Sequence, residues 1–320
     1  MGSSICKLAV LLLLQAALPS VPQQASGRIV RPGGQRVVPV SGAWVVLHRV
    51  GPDSAGPLDS VRSDSRGRYS FKYTRTGSAD AIYFVSASHD GIAYFTQPLA
   101  EGRVSGDDGE ITVFDTTSGH IPMSLRGHHV VVSAADANAR RSIVEVYDLS
   151  NDGFVTRVAA SDNPASATWQ THIVPDAADF KVGQGDISAA AVTYANGIVS
   201  VFAPLAPGLK QLSFSYSLPA KSFPLKLPLE TETGIYEILV EEKAGNVTAP
   251  HLKEVDPVTV DERNFRRFLA SDVPEKSVAV IDLPPPPPAT RSIDPRYLVA
   301  LTLLIGGAMV LALAQALRRR

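Results

Sequence analysis

The chain has 320 residues, with 30 lysines and arginines against 31 aspartates and glutamates, which gives a formal net charge of −1 and a pI of about 6.7. Domains that bind nucleic acid usually carry a basic excess, so this balance argues against nucleic acid as a partner. Hydrophobic residues make up 45% of the chain, which is normal for globular folding, and a single cysteine, Cys6, excludes an intramolecular disulfide.

The N-terminal segment has the pattern of a secretory signal peptide, which we predict over residues 1–25. Lys7 supplies a positive charge, the apolar run Leu8 to Leu14 follows, and glutamines and prolines end the run well short of a bilayer thickness. The cleavage position stays open among three small residues, Ala17, Ser20 and Ala25. Cleavage removes the only cysteine, and a mature secreted chain without disulfides favours a bacterial cell envelope.

From Gly27 to about Leu99, apolar and polar residues alternate in short runs, which predicts β-strands and not helices. Asp64 to Gly67 predicts a turn in which the aspartate caps the backbone and the glycine accepts positive φ. His89 to Gly91 predicts a hairpin loop. Two strands have a clear apolar face, formed by Ala43, Val45 and Leu47 on the first and by Tyr69, Phe71 and Tyr73 on the second.

Three segments of this region resemble the carboxypeptidase regulatory-like domain: Gly27 to Val30, Pro39 to Leu47, and Ser63 to Phe71. The last segment has the pattern Asp-x-x-Gly-x-aromatic-x-aromatic, formed by Asp64, Gly67, Tyr69 and Phe71. The resemblance implies a prealbumin-like seven-stranded sandwich, which we place at residues 26–116. Such domains are non-catalytic parts of exported bacterial proteins and are similar in fold to carbohydrate-binding sandwiches, but a fold alone does not give a ligand.

A polar stretch from Gly102 to Gly127 reads as a last short strand and a linker, and the β pattern resumes after it. Strands without long helical patterns pack sheet against sheet, which predicts a second β-sandwich over residues 117–281. Asn196-Gly197 predicts a tight hairpin. One segment fits either a short helix or an edge strand, with apolar residues at Phe265, Phe268 and Leu269. The candidate strands are Val130 to Ser133, Ser142 to Tyr147, Thr168 to Val174, Ile187 to Tyr194, Ile198 to Phe202, Gln211 to Leu218 and Ile235 to Glu241.

The C-terminal part predicts a membrane anchor. Five consecutive prolines favour an extended linker over residues 282–296. The apolar run at 297–317 spans roughly 30 Å as a helix, which matches the hydrocarbon thickness of a bilayer. Three arginines at 318–320 favour a cytoplasmic tail, so we expect a single-pass protein of the cytoplasmic membrane with its bulk in the periplasm or at the cell surface.

Candidate chemical sites are few. His251 and Glu254 have the His-x-x-Glu spacing of zinc carboxypeptidases, but that family requires a further histidine downstream, and this chain has none. His128 and His129 would point to opposite faces of a strand, which suits a structural or surface role better than a shared metal. The run Asp107 to Glu110 fits either a calcium ion or an ordinary polar turn. We therefore predict no catalytic residue, no metal site and no cofactor.

Aromatic side chains offer a candidate binding surface. Several of them could stack on sugars if they faced one exposed sheet, whereas most aromatics in a sandwich pack in the core. The sequence does not say which face meets solvent. The candidates are Trp44, Tyr83, Tyr94 and Trp169, with Phe84 and Phe95 beside them.

The leading interpretation is an all-β, non-catalytic, membrane-anchored envelope protein whose two exported β-sandwiches serve as interaction or structural modules. Its expected partners are the membrane, through a single span, and another envelope protein or a polysaccharide, with no nucleic acid. Two alternatives stay open. One is a carbohydrate-binding surface module, and the other is an accessory subunit of a separately encoded membrane enzyme.

Overall fold

The computed structural model of the chain describes residues 22–34, 36–99, 102–260 and 262–285. Most of the predicted signal peptide and the whole predicted span at 297–317 lie outside these residues. No helix in the described part is long and apolar enough to cross a membrane. Its secondary structure consists of strands and four short 3₁₀ turns, so the prediction of an all-β chain is confirmed. The chain divides into two compact units after Val113.

The described residues of the first unit form nine strands and one 3₁₀ turn at Gly106–Gly109. The strands are β1 Pro22–Gly33, β2 Arg36–Pro39, β3 Trp44–Val50, β4 Ala55–Arg62, β5 Arg68–Thr74, β6 Ile82–His89, β7 Ile92–Phe95, β8 Arg103–Val104 and β9 Ile111–Thr112.

Two sheets of the first unit pack face to face. One has the order β2-β1-β5, with β8 and β9 pairing in parallel with β1, and the other has the order β4-β3-β6-β7. The predicted apolar faces of β3 and β5 are buried, while Ser70 and Lys72 on the opposite side of β5 are exposed. The rings of Tyr73 on β5 and Tyr83 on β6 stack with centroids 5.4 Å apart, which joins the two sheets.

The predicted turns of this unit are confirmed. Asp64 Oδ1 accepts hydrogen bonds from the backbone amides of Arg66 and Arg68, each at 2.8 Å, and Gly67 has a φ of +73°. Asp90 and Gly91 join β6 to β7 with positive φ at both residues. Gly27 is required by packing, since a Cβ there would overlap the carbonyl of Gly109 in the 3₁₀ turn.

Strand β1 begins at Pro22, within the segment predicted as signal peptide. Residues Pro22 to Ala25 pair with the Phe71 to Thr74 part of β5, and Ala25 is fully buried. Cleavage after Ala25 would remove these pairs, whereas cleavage after Ala17 or Ser20 would leave the strand whole.

Within the part of the second unit that the structure describes, there are fifteen strands and three 3₁₀ turns, at Pro164–Ser166, Ala189–Ala191 and Ala220–Ser222. The strands are β10 Thr116–Thr117, β11 Ser124–Val132, β12 Arg140–Asn151, β13 Thr156–Arg157, β14 Trp169–His172, β15 Ala178–Val182, β16 Val192–Ala195, β17 Ile198–Val201, β18 Gly208–Pro219, β19 Leu225–Leu229, β20 Thr233–Val240, β21 Asn246–Thr248, β22 Lys253–Val260, β23 Arg263–Val273 and β24 Ser277–Asp282.

A seven-stranded sheet forms the frame of the second unit, in the order β15-β18-β12-β11-β20-β23-β22. One of its faces packs against two three-stranded sheets, β14-β17-β16 and β19-β24-β21, around a continuous apolar core. Val130, Phe214 and Ile238 of the large sheet meet Val201 and Ile281 of the small sheets in this core. Fully buried Arg141 donates to Glu242 at 2.7 Å and to the carbonyl of Pro284 at 2.9 Å, which ties the first residues of the proline run to this unit.

The structure also corrects parts of the sequence interpretation. The hairpin at Asn196-Gly197 is confirmed between β16 and β17, but the helical alternative around Phe265 is wrong. Arg263–Val273 is a strand, and it lies inside the sheet between β20 and β22 and not at an edge. The stretch from Gly102 to Gly127 is more than a strand and a linker, since it contains β8, β9, β10 and the start of β11.

Candidate functional site

The outer face of the four-stranded sheet in the first unit carries a row of aromatic and apolar side chains. In β3, Val45 and Leu47 are fully buried in the core, so strand alternation turns Trp44, Val46 and His48 outwards. Trp44 remains 44% exposed at the start of this row. The row therefore lies on the solvent side of a sheet whose other side is already packed.

The register of the sheet places two phenylalanine rings beside the row. Phe84 lies opposite His48, and Phe95 lies opposite Ser86. The rings of His48 and Phe84 stack with centroids 5.0 Å apart, and Phe84 meets Phe95 edge to face at 5.7 Å. His48 Nε2 lies 2.8 Å from Ser86 Oγ, which orients the imidazole. Burial lowers the pKa of His48, so this ring is predominantly neutral at pH 7.

Arg62 closes one end of the row. Its guanidinium lies 4.9 Å from the ring centroid of Trp44 and donates to the Gly42 carbonyl at 2.7 Å. Ile82, opposite Val50 at the other end, is 48% exposed, and Phe95, on the edge strand β7 level with Val46, is 59% exposed. Contiguous apolar surface of this kind usually marks an interaction site. We call the set Trp44, Val46, His48, Ile82, Phe84 and Phe95 the outer aromatic face.

The four aromatic residues predicted as a binding surface do not lie together. Tyr83 and Tyr94 are buried in the core of the first unit, and Trp169 belongs to the second unit, where its half-buried ring meets Tyr147 at 5.0 Å. Only Trp44 lies on the outer aromatic face.

The residues that replace them, Phe84 and Phe95, each directly follow a buried tyrosine. The signal was present in the sequence, because Ala81, Tyr83, Val85 and Ala87 form an apolar set at alternate positions. Extending that alternation turns Phe84 outwards.

Buried titratable side chains lie close together in the second unit, on β11 and its neighbours. On the core side of the seven-stranded sheet, His128 Nε2 lies 2.8 Å from Glu145 Oε2. The same carboxylate accepts hydrogen bonds from the hydroxyls of Tyr147 and Tyr216, each at 2.6 Å. Glu145 is 1% exposed, and His128 is 3% exposed. Burial would raise the pKa of Glu145, but the hydrogen bonds to its charged form outweigh burial and lower it.

His129 lies on the opposite face of the same sheet, as its neighbouring position predicts. Its Nδ1 is 2.8 Å from Glu237 Oε2, and its Nε2 is 3.4 Å from Asp148 Oδ2. Arg267 Nε donates to the other oxygen of Glu237 at 2.6 Å. His129 and Asp148 are each 2% exposed. The two histidines thus occupy separate ion-pair clusters and do not share a ligand.

Both clusters are closed, hydrogen-bonded arrangements within a sheet. Burial raises the pKa values of Tyr147, Tyr216 and Tyr236 well above normal, so the tyrosines stay neutral around the charged Glu145. An unpaired buried charge is costly, and each carboxylate is accordingly held by several donors, while the Tyr236 hydroxyl beside them has no hydrogen-bond partner among the described residues. The geometry of the two clusters supports a structural role.

The His129 cluster gives a testable dependence of stability on pH. Burial lowers the pKa of His129, but hydrogen bonds to Asp148 and Glu237 outweigh burial and raise it above 6.5. Its stabilising contribution is therefore complete below pH 6.5 and is lost as pH rises through the raised folded-state pKa. The pKa of Glu237 is lowered below 4.5, because its hydrogen bonds to His129 and Arg267 outweigh burial. The contribution of the ionised Glu237 carboxylate to stability is therefore lost only in acid.

We expect urea denaturation to give a smaller free energy of unfolding at pH 8.5 than at pH 6. His129→Gln should flatten this dependence, because glutamine does not titrate. His172→Gln, which changes an exposed histidine paired with Glu230, should leave the dependence intact. A wild-type protein with equal stability at both pH values would contradict the assignment.

The other predicted metal candidates are engaged in ordinary contacts. Glu254 holds Arg266 through two hydrogen bonds of 2.8 Å, and His251 Nδ1 lies 3.4 Å from the Ser271 carbonyl. Glu110 pairs with Arg28 at 2.7 Å after the 3₁₀ turn.

Comparison with known proteins gives no family. No family model matches the chain, and no curated protein matches it. Two solved structures with partial similarity are a mutant of a two-domain M1 zinc metallopeptidase bound to L-tryptophan and a mutant M1 zinc metallopeptidase from Deinococcus radiodurans bound to a Tyr-Ser-Ala substrate. Both are 11% identical with a TM-score of 0.30, and they cover 51% and 50% of this chain. The chain spans 43% and 42% of their lengths, and so low a similarity carries no argument about activity.

Proposed function

We propose that this chain is a non-catalytic, membrane-anchored protein of a bacterial envelope, and that its exported first unit docks a partner protein through the outer aromatic face. The observation that carries the proposal is this face. Trp44, Phe84 and Phe95 stand on the solvent side of a sheet whose opposite side already forms a core. The finer assignments, a carboxypeptidase regulatory-like sandwich at 26–116 and a second sandwich at 117–281, belong to the same proposal.

The chemistry of the face favours a protein over a sugar. Tryptophan, phenylalanine and arginine are enriched at the centres of protein interfaces, and Val46 and Ile82 add aliphatic surface with no hydrogen-bonding group. The polar groups beside the rings already have partners, since His48 bonds Ser86 and Arg62 bonds the Gly42 carbonyl. Sugar sites need free polar groups beside the rings to bind hydroxyls.

Photo-crosslinking in the native envelope tests the docking. A photoreactive phenylalanine analogue placed at Phe95 in the full chain should cross-link one discrete protein, and Phe84→Asp in the same chain should abolish the product. The analogue placed at Asp108, an exposed position in the 3₁₀ turn, should give no such product. Absence of a product at Phe95 would overturn the docking. Binding of a glycan that Phe95→Ala abolishes would also overturn it, and would assign the face to carbohydrate.

The membrane anchor is tested by topology. The proposal rests on the apolar run at 297–317 and the arginines after it. A reporter fused after Arg320 should be active only in the cytoplasm, whereas a protease added outside the membrane should digest both β units. Reporter activity in the periplasm would contradict the proposed orientation.

A further inference from the structure

The first unit has a second exposed surface, on the outer side of its other sheet. Strands β1 and β5 pair antiparallel there, and their outward side chains form cross-strand pairs. Arg28 lies opposite Arg68, and Ser26 lies opposite Ser70. With Arg62 at the end of β4, these residues line an open cleft of about 630 Å³. We call Gln24, Ser26, Arg28, Arg62, Arg68 and Ser70 the cationic cleft.

The charges of the cleft are unbalanced. Three guanidinium groups line it, Asp64 is the carboxylate in the described lining, and Glu110 pairs with Arg28 at 2.7 Å. The Asp64 carboxylate is occupied by the backbone amides of Arg66 and Arg68 at 2.8 Å. Like charges directly opposite each other destabilise a sheet, and the pair Arg28 and Arg68 has this arrangement. Glu110 offsets part of this repulsion at Arg28, and an anion that binds beside Arg68 would offset more of it.

Two of the arginines are held in place before any ligand arrives. Arg28 is fixed by Glu110 at 2.7 Å, and Arg62 is fixed by the Gly42 carbonyl at 2.7 Å and by the ring of Trp44. Guanidinium groups match carboxylates and phosphates with two parallel hydrogen bonds. Pre-organised donors reduce the entropy lost on binding.

The uncharged positions identify the class of anion. Ser26 and Ser70 lie one outward position, about 6.6 Å, along their strands from the Arg28–Arg68 pair. Ser26 donates to the Val104 carbonyl at 3.4 Å and Ser70 accepts from Gln24 at 3.2 Å, so the Ser26 oxygen can still accept and the Ser70 hydroxyl can still donate. A polymer that carries hydroxyl groups beside its carboxylates fits this arrangement. The aromatic residue in the described lining is Tyr69, which is 5% exposed and donates to the Gly109 carbonyl, so it offers no ring on which a nucleic-acid base can stack.

We propose that the cationic cleft binds a linear acidic polysaccharide, with sugar carboxylates on Arg28 and Arg68 and sugar hydroxyls on Ser26 and Ser70. Arg28 and Arg68, which carry the proposed carboxylate contacts, lie on β1 and β5 and not on the sheet of the outer aromatic face, and Arg62 is the cleft residue that also touches that face through Trp44. The volume of the cleft falls within the range of ligand sites in proteins.

Calorimetric titration of the full chain in neutral detergent tests the proposal, with polygalacturonate as the probe. Polygalacturonate should bind at low salt, and neutral dextran should not bind. Arg68→Glu and Arg28→Gln should each weaken binding about tenfold or more, because each removes a charge-assisted contact. Arg66→Glu is the matched control. Arg66 is exposed, lies two residues from Arg68 outside the cleft lining, and should change the affinity less than about threefold when replaced.

The remaining measurements separate this site from general electrostatic attraction. The double variant Ser26→Ala and Ser70→Ala should weaken polygalacturonate binding and leave polyphosphate binding unchanged, with an unaltered melting temperature. Equal losses for Arg66→Glu and Arg68→Glu would overturn the site. No binding of polygalacturonate, or equal or tighter binding of polyphosphate or single-stranded DNA, would overturn the assignment to an acidic polysaccharide.

Discussion

Glu145→Leu is expected to lower the free energy of unfolding of the second unit by about 3 to 5 kcal/mol, because it removes the shared acceptor of a buried hydrogen-bonded cluster. The carboxylate accepts from His128, Tyr147 and Tyr216, and the substitution leaves all three polar groups buried without their acceptor. Urea denaturation of the full chain can follow this unit through Trp169, whose ring lies 5.0 Å from Tyr147. The chain has two tryptophans, so a Trp44→Phe background makes Trp169 the only indole reporter.

Two control variants test whether the loss of stability in Glu145→Leu comes from the buried hydrogen bonds. Glu145→Gln keeps the side-chain volume and one acceptor oxygen, so it should cost less than the leucine substitution. Glu230→Leu removes the same type of histidine–carboxylate pair at the surface, where Glu230 and His172 are 2.6 Å apart with side chains 43% and 55% exposed. That loss should stay under about 1 kcal/mol. Equal losses for Glu145→Leu and Glu230→Leu would show that the buried cluster does not stabilise the unit.

The buried clusters show what the sequence could not predict. The sequence indicated that His128 and His129 point to opposite faces of a strand, because alternation is a local property. Their partners could not be predicted, since Glu145 is 17 residues away and Glu237 is 108 residues away from the histidine that each one binds. Strand pairing brings these side chains together, and no sequence spacing encodes the register between β11 and β20.

In the first unit, too, features formed by neighbouring residues were predictable, and features formed by distant residues were not. The turn at Asp64 and the hairpin at Asp90 and Gly91 were predictable, because the residues that form them are neighbours. Phe84 and Phe95 were named beside the four aromatic candidates, but which of the neighbours Tyr83 and Phe84 meets solvent depends on strand alternation, which buries Tyr83. The cationic cleft depends on the register that sets Arg28 opposite Arg68, which are 40 positions apart in the sequence.

The segment at 263–273 illustrates how tertiary context overrides a local pattern. Phe265, Phe268 and Leu269 fit one face of a helix, and the arginines around them fit its polar side. In the structure Phe265 and Phe268 lie on different faces of one strand and belong to separate apolar clusters. Pairing with β20 on one side and β22 on the other satisfies the backbone hydrogen-bonding groups of this strand. This pairing outweighs the weak helical preference of the local sequence.

Phe71→Ala is expected to destabilise the first unit by about 3 to 5 kcal/mol, through lost transfer free energy and the cavity that remains. Phe71 is 1% exposed, lies opposite buried Ala25 in the register of β1 and β5, and has its ring 5.8 Å from that of Tyr69. The neighbouring Lys72 points to the opposite, solvent side of the same strand.

Lys72→Ala is therefore the matched control, and it should cost under about 0.5 kcal/mol as a surface change. Urea denaturation of the full chain in a Trp169→Phe background reports on the first unit through Trp44 alone, which lies on the other sheet of this unit and away from the substituted strand. A large loss of the free energy of unfolding for Phe71→Ala and a small loss for Lys72→Ala are expected if successive side chains of β5 point alternately to the core and to solvent. Equal losses of the free energy of unfolding for the two variants would mean that β5 is assigned to the wrong register. The facing pairs Arg28–Arg68 and Ser26–Ser70 of the cationic cleft would then be wrong as well, because they depend on the same pairing of β1 and β5.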